Sequence, residues 1–190
     1  NLTSTTSGAK MLVATYAGDT NFNGSASAGV PHQVNPAGPT ATTTAVTLVN
    51  PATAVFGQTV AVTVQVTAGS GALAPDGSVT VSVGGSTCNV VLAPVGGVVA
   101  GGSCNLAPNP AVGASQTVSA SYAGSAGFAP SASSGAGNGS LTVNKANTTT
   151  AITGDTPDPS VQNAAYTVTA VVTPTVPGSG TPSGTVTVTD

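Results

Sequence analysis

Val60-Ala61-Val62-Thr63-Val64-Gln65-Val66-Thr67 carries a valine at every second position, with small or polar residues between. Side chains alternate across a β-strand with a period of two, so this stretch shows four valines on one face and alanine, threonine and glutamine on the other. A strand with one buried face follows, and the same pattern spreads outward from it. Strands are predicted over 41–48, 58–68, 78–83, 87–92, 98–106, 116–122 and 140–144. In the third of these Val79, Val81 and Val83 face inward. The connection from Ala68 to Gly77 holds Gly69, Gly71, Pro75 and Asp76, a dense set of turn formers. Strands 87–92 and 98–106 are expected to pair with each other across Pro94–Gly97. No segment has the 3.6-residue period of an amphipathic helix.

Composition narrows the function classes. Only 4% of the residues are charged, far below the roughly 25% of an ordinary soluble chain. Lys10 and Lys145 are the only side-chain cations besides the single histidine, His32, and the net charge is −3. Nucleic-acid binding therefore has no electrostatic footprint, and an anionic membrane surface offers no attraction. Although the mean hydropathy is positive, apolar residues alternate with Thr and Ser, and no uncharged apolar run reaches the ~18 residues of a spanning helix. No membrane insertion is expected. Asn1-Leu2-Thr3-Ser4-Thr5-Thr6 lacks the basic and apolar regions of a signal peptide and reads as an internal cut, or a mature start, in a longer repeat protein.

A long internal period gives the organisation. Tyr16-Ala17-Gly18-Asp19-Thr20-Asn21-Phe22-Asn23-Gly24-Ser25-Ala26-Ser27 returns 106 residues later as Tyr122-Ala123-Gly124-Ser125-Ala126-Gly127-Phe128-Ala129-Pro130-Ser131-Ala132-Ser133. At the same interval Asn147–Thr153 follows Ala41–Thr47, and Tyr166–Val172 follows Val60–Val66. Gly184–Thr189 follows Gly77–Ser82 at 107. A period of this size indicates whole domains in tandem rather than a solenoid of short units. Residues 1–36 are expected to be the C-terminal half of one repeat, 37–39 a linker within Asn35–Pro39, 40–145 a complete repeat, and 146–190 the N-terminal half of the next. Counterparts of 84–104 are missing from the two halves together. A half sandwich leaves an apolar face and unpaired edges, so the halves are expected to be completed by neighbouring chains or by further sequence. Within one chain, a folded central repeat would hold them apart.

Seven short strands punctuated by turns in about 100 residues form the immunoglobulin-like pattern: all-β, an antiparallel β-sandwich in tandem repeats of about 106 residues. At Gly184–Asp190, Tyr16–Ser25, the threonine runs 42–44 and 148–150, and Phe56-Gly57-Gln58-Thr59-Val60, the chain resembles bacterial immunoglobulin-like repeat domains. The resemblance covers essentially the whole chain. It implies tandem sandwiches of surface adhesins, extracellular fibres or spacers, located outside the cell or on the bacterial surface. Two features depart from the family pattern: Ser125 stands where the first copy has Asp19, and the Cys88/Cys104 pair is extra.

The two cysteines lie 16 residues apart with no Cys-x-x-Cys or clustered histidine, which argues for a disulfide and an oxidising compartment over a metal site. Two buried free thiols are the alternative. Asp19, Asn21 and Asn23 with Gly24 resemble the first half of a calcium loop, yet Val30 stands where the bidentate acid belongs. The second copy offers only Ser125, Gly127 and Ala129. A tight turn whose side chains bond local backbone is the competing reading, and no metal or cofactor is expected. Tyr16 and Tyr122 end strands and are expected to bond their hydroxyls to nearby backbone, with a sugar-stacking platform as the alternative. Phe22 and Phe128 read as core plugs. His32 would have to serve any Ser/His/Asp arrangement and has no second copy, so a surface histidine is expected. Lys10 and Lys145 could suggest lysine–asparagine crosslinks, but these need an acid poised beside the lysine, and Lys145 sits at a domain junction with no nearby Asp in sequence. The Asn-x-Ser/Thr sites at Asn1, Asn23, Asn138 and Asn147 are frequent by chance in so threonine-rich a chain.

These readings converge on a structural, non-enzymatic repeat that forms a stalk or self-assembling filament, with other copies of the same protein as partners. The alternative is an adhesin-type binding module that recognises glycan or protein through its loops.

Overall fold

A computed structural model describes residues 1–35, 37–106 and 111–190. Pro36, in the expected linker, lies outside the described residues. The chain divides into two units, Asn1–Gly38 and Pro39–Asp190. Both are built from strands, and the described residues include no α-helix.

The first unit holds β1 (Gly8–Leu12), β2 (Thr15–Tyr16), β3 (Ser25–Ala26) and β4 (Val30–Val34). β1 pairs antiparallel with β4, and β2 with β3. Most of its side chains are exposed, Leu12, Val13 and Tyr16 among them.

The second unit contains β5 (Thr42–Asn50), β6 (Thr53–Val55), β7 (Val60–Ala68), β8 (Ser78–Val83), β9 (Ser86–Val91), β10 (Ala93–Gly96), β11 (Val99–Leu106), β12 (Gly113–Tyr122), β13 (Ser131–Ala132) and β14 (Gly139–Asn144). One sheet has the order β10-β11-β7-β5 and the other β6-β14-β12-β8-β9, with β13 added beside β12. All pairs are antiparallel except β14 with β6. The two sheets share one core. Val60, Val62, Val64 and Val66 of β7 are fully buried, as the alternation requires, together with Val79 and Val81 of β8 and Val118 of β12. Leu106, Tyr122 and Leu141 are its largest buried side chains. Because Val and Ala supply most of this core, each residue buries modest apolar area and close packing matters correspondingly.

The expected pairing of 87–92 with 98–106 is corrected. β9 pairs with β8, whereas β11 pairs with β7 and with the short β10, so the two stretches lie in opposite sheets. The chain leaves one sheet after Val91, anchors Leu92 N–H on the carbonyl of Gly77 (2.9 Å), and turns back within the other sheet through β10. β9 and β11 still meet across the core. A Cβ at Gly102 would stand 2.7 Å from Val90 Cγ1 and 2.8 Å from the Val91 carbonyl, so the glycine permits that approach. Cys88 and Cys104 both face inward here and form a disulfide that joins the two sheets along this side.

Beyond the sandwich, β15 (Thr148–Thr156) pairs with β16 (Thr167–Pro174). Thr148↔Pro174 through Ile152↔Ala170, then Gly154↔Thr169 through Thr156↔Thr167 after a register shift, reproduces the β5–β7 pairing position for position at an interval of 106. The bulge between Val46 and Leu48 recurs between Ile152 and Gly154. The stretch 184–189, the counterpart of β8 by sequence, is not a strand. In the sandwich β8 is held between β9 and β12.

Candidate functional site

The repeated tyrosine turn is where the sequence motifs meet the packing. In the second unit β12 ends at Tyr122, Gly124 adopts φ +85, and Ser125 N–H donates to the Phe128 carbonyl (2.9 Å) before β13 returns. A Cβ at Gly124 would stand 2.9 Å from the Phe128 carbonyl oxygen, and the positive φ is in the region that favours glycine. Tyr122 is buried, and its hydroxyl donates to the backbone carbonyl of Asp76 (2.8 Å). The acceptor is backbone, as expected of a strand-ending tyrosine. It is not local, however, and belongs to the loop joining β7 to β8. Ser125 Oγ donates to Asp76 Oδ1 (2.6 Å), so both ends of the turn fasten to one residue. Phe128 packs against the core.

A second polar contact lies beside it. Ser131 Oγ is 2.7 Å from both Thr42 Oγ1 and Thr44 Oγ1, and Thr42 Oγ1 donates to the Ala129 carbonyl (2.8 Å). Each hydroxyl has one proton, so the chain runs from Thr44 to Ser131 to Thr42 to Ala129. The two threonines belong to β5 and the serine to β13, so these hydroxyls tie the sheets together.

The first unit repeats the turn without these partners. Gly18 has φ +84 and Asp19 N–H donates to the Phe22 carbonyl (2.9 Å). Ser27 N–H donates to the Ala14 carbonyl (2.8 Å) while Ala14 N–H donates to Ser27 Oγ (3.0 Å), matching Ser133 and Ala120 in the second copy. Here the Tyr16 hydroxyl donates to Asp19 Oδ2 (2.8 Å), and Asp19 Oδ1 accepts from the N–H groups of Asn21 and Phe22 (2.8 and 2.9 Å). The Asn21 N–H and the Tyr16 hydroxyl stabilise the carboxylate and hold its pKa below the usual range; the same carboxylate raises that of Tyr16. Asn21 thus serves the turn through its backbone. Among the described residues no three His, Cys, Asp or Glu side chains cluster as metal ligands. Phe22, at the position of Phe128, is exposed.

The remaining singled-out residues are scattered. His32 lies exposed in β4, level with Lys10 of β1, and Lys10 Nζ donates to Thr6 Oγ1 (2.6 Å). Lys145 lines a cleft of about 390 Å³ with Phe56, Ala146, Pro174, Ser179 and Pro182, where the 146–190 segment meets the sandwich. There Ser179 N–H donates to the Phe56 carbonyl (3.3 Å) and Ser179 Oγ to that of Gly57 (2.6 Å). The sequence marks Asp76 only as a turn former and Thr42, Thr44 and Ser131 only as parts of repeated motifs, with no sign of their contacts. The available signal was the Pro-x-Gly frame around Asp76, which recurs as Pro182-Ser183-Gly184. No described helix is long and apolar enough to cross a membrane. No protein-family model matches this sequence, and no curated protein matches it either.

Proposed function

We propose that this chain is a non-catalytic structural repeat of a bacterial extracellular or cell-surface protein, built from tandem immunoglobulin-like sandwiches of about 106 residues and forming a stalk or self-assembling filament. The observation that carries this reading is the recurrence of strand register: β15–β16 repeats β5–β7 pair by pair, bulge included, at the interval by which the tyrosine turn repeats. Independent elements with one period indicate one domain design used more than once. The immunoglobulin-like assignment is supported by the two sheet orders, by the parallel pairing of β6 with β14 and by a core formed between sheets. The cystine, which persists in oxidising surroundings, supports the extracellular placement. A surface of Thr, Ser, Gly and Ala with almost no charge supports contact with further copies, since close approach costs little charge desolvation. Electron microscopy of the native material tests this reading. Ordered polymers with a repeat on the scale of one sandwich are expected; monodisperse particles whose loop residues shift in NMR spectra when glycan is added would replace it with adhesion.

A further inference from the structure

We infer that β9 is an edge at which two copies of this chain pair, antiparallel and about a two-fold axis at Asn89, so that one sheet continues from a sandwich into its neighbour. The inference rests on the described sandwich alone. It adds a sideways contact to the structural reading above and does not depend on how repeats follow one another along the chain.

One sheet of the sandwich ends on β10 and β5, the other on β6 and β9. β10 is short, contains Pro94 and is bulged beside it; β5 is bulged between Val46 and Leu48; β6 spans only Thr53–Val55. Shortness, proline and bulges are the ordinary means by which an edge is kept from pairing with another chain. β9 has none of them. It pairs with β8 from Val83↔Ser86 to Ser78↔Val91 without a register shift, and it holds no proline, glycine or charged residue. Among the described residues no further strand lies beyond it.

The groups that β9 offers follow from the turn before it. Gly84 and Gly85 have φ +51 and +86, the two-residue hairpin turn whose flanking residues, here Val83 and Ser86, form a hydrogen-bonded pair. Bonded and non-bonded positions alternate from there. Cys88 and Val90 therefore turn their backbone groups to β8, as does Leu92, whose N–H meets the Gly77 carbonyl (2.9 Å). Thr87 and Asn89 turn theirs to the open edge. The strand is also held in place. Val90 is fully buried, the Cys88–Cys104 disulfide ties β9 to β11, and Gly102 lets these two strands approach. An edge fixed in this way has little left to order on pairing, which lowers the cost of association.

The occupant that fits is a second copy. Two-fold pairing brings identical groups together, which an uncharged strand permits and a charged one opposes. A register centred on Asn89 sets that residue against the partner's Asn89, and Thr87 against the partner's Val91. Asn89 Oδ1 accepts from Thr80 Oγ1 (3.0 Å), which leaves the amide N–H groups as donors for the partner's Asn89. Val91, 80% exposed, would be covered in part by the partner's Thr87. A foreign strand would meet the same backbone edge with no charge to select it. Contact along one short strand is small, so each pairing is weak. Repeated along a chain of such sandwiches it accumulates by avidity and would hold neighbouring chains side by side.

Sedimentation velocity of the full, oxidised chain across a concentration series tests this. The wild-type chain is expected to associate reversibly at hundreds of micromolar, as a small interface allows. Asn89→Asp keeps an acceptor for Thr80 but sets like charges across the axis, and is expected to weaken self-association about tenfold. Asn89→Lys alone is expected to do the same. An equimolar mixture of the two variants is expected to associate again, because opposite charges then face each other. Recovery on mixing cannot come from a misfolded variant. A wild-type chain that stays monomeric at hundreds of micromolar, variants that associate as the wild type does, or a mixture no tighter than its components overturns the inference. If native material still shows ordered polymers in that case, the structural-repeat reading stands and only this edge contact fails.

Discussion

Tyr122 and Tyr16 end strands that lead into turns of the same backbone, with the same positive-φ glycine and the same return hydrogen bonds. Tyr122 is 1% exposed and Tyr16 is 46% exposed. Their difference separates two levels of information. Sequences of a dozen residues suffice to form the turn, because Gly18 or Gly124 supplies the φ and the hydrogen bonds that close it are local. Burial of the ring needs a second sheet and a loop that arrives from elsewhere in the chain, as Asp76 does. In the first unit the Tyr16 hydroxyl instead donates to the carboxylate of Asp19. The β7 and β16 strands differ in the same way: Val62 and Val64 are fully buried, whereas Val168 and Ala170, in the same register, are half-buried.

The disulfide offers the largest perturbation confined to one side of this comparison. It joins the sheets only in the central sandwich, and its loop of 16 residues corresponds to about 3 kcal/mol in the chain-entropy account. Reduction is expected to lower the melting temperature of that sandwich and to leave the amide spectrum of β1–β4 and β15–β16 unchanged. Mass spectrometry that finds two free thiols in the native protein would remove this element of the account.

A smaller and sharper contrast comes from one substitution made twice. Val62→Ala removes two buried methyl groups and leaves a cavity, for an expected loss of about 2 kcal/mol. Val168→Ala, at the same register 106 residues on, is expected to change the melting of the dilute chain hardly at all. Equal losses in denaturant titrations would show that β16 already belongs to a closed core in the single chain, and the comparison would collapse.

Much of this was legible in the residues. The valine alternation located β7, and the turn residues between Ala68 and Gly77 located its end, because period and punctuation are local properties. The pairing of 87–106 was not, since adjacency in sequence favours a hairpin, while a four-residue strand, β10, takes that place beside β11. The absence of a side chain at Gly102 lets β9 of the opposite sheet close over β11, which sequence periodicity does not express. The site was legible in part. Tyr16, Tyr122, Phe22 and Phe128 stood out by repetition, but Asp76 meets Tyr122 and Ser125 through contacts 46 and 49 residues long, and such contacts leave no local pattern.

Amide hydrogen exchange on the dilute, oxidised chain reports whether strands of the same register are cored only where both sheets of a sandwich meet. Protection close to the global stability is expected for β7 and β12, with β1 and β16 exchanging orders of magnitude faster through local opening. Equal protection of Val62 and Val168 amides, or of Ala120 and Ala14 amides, would contradict it.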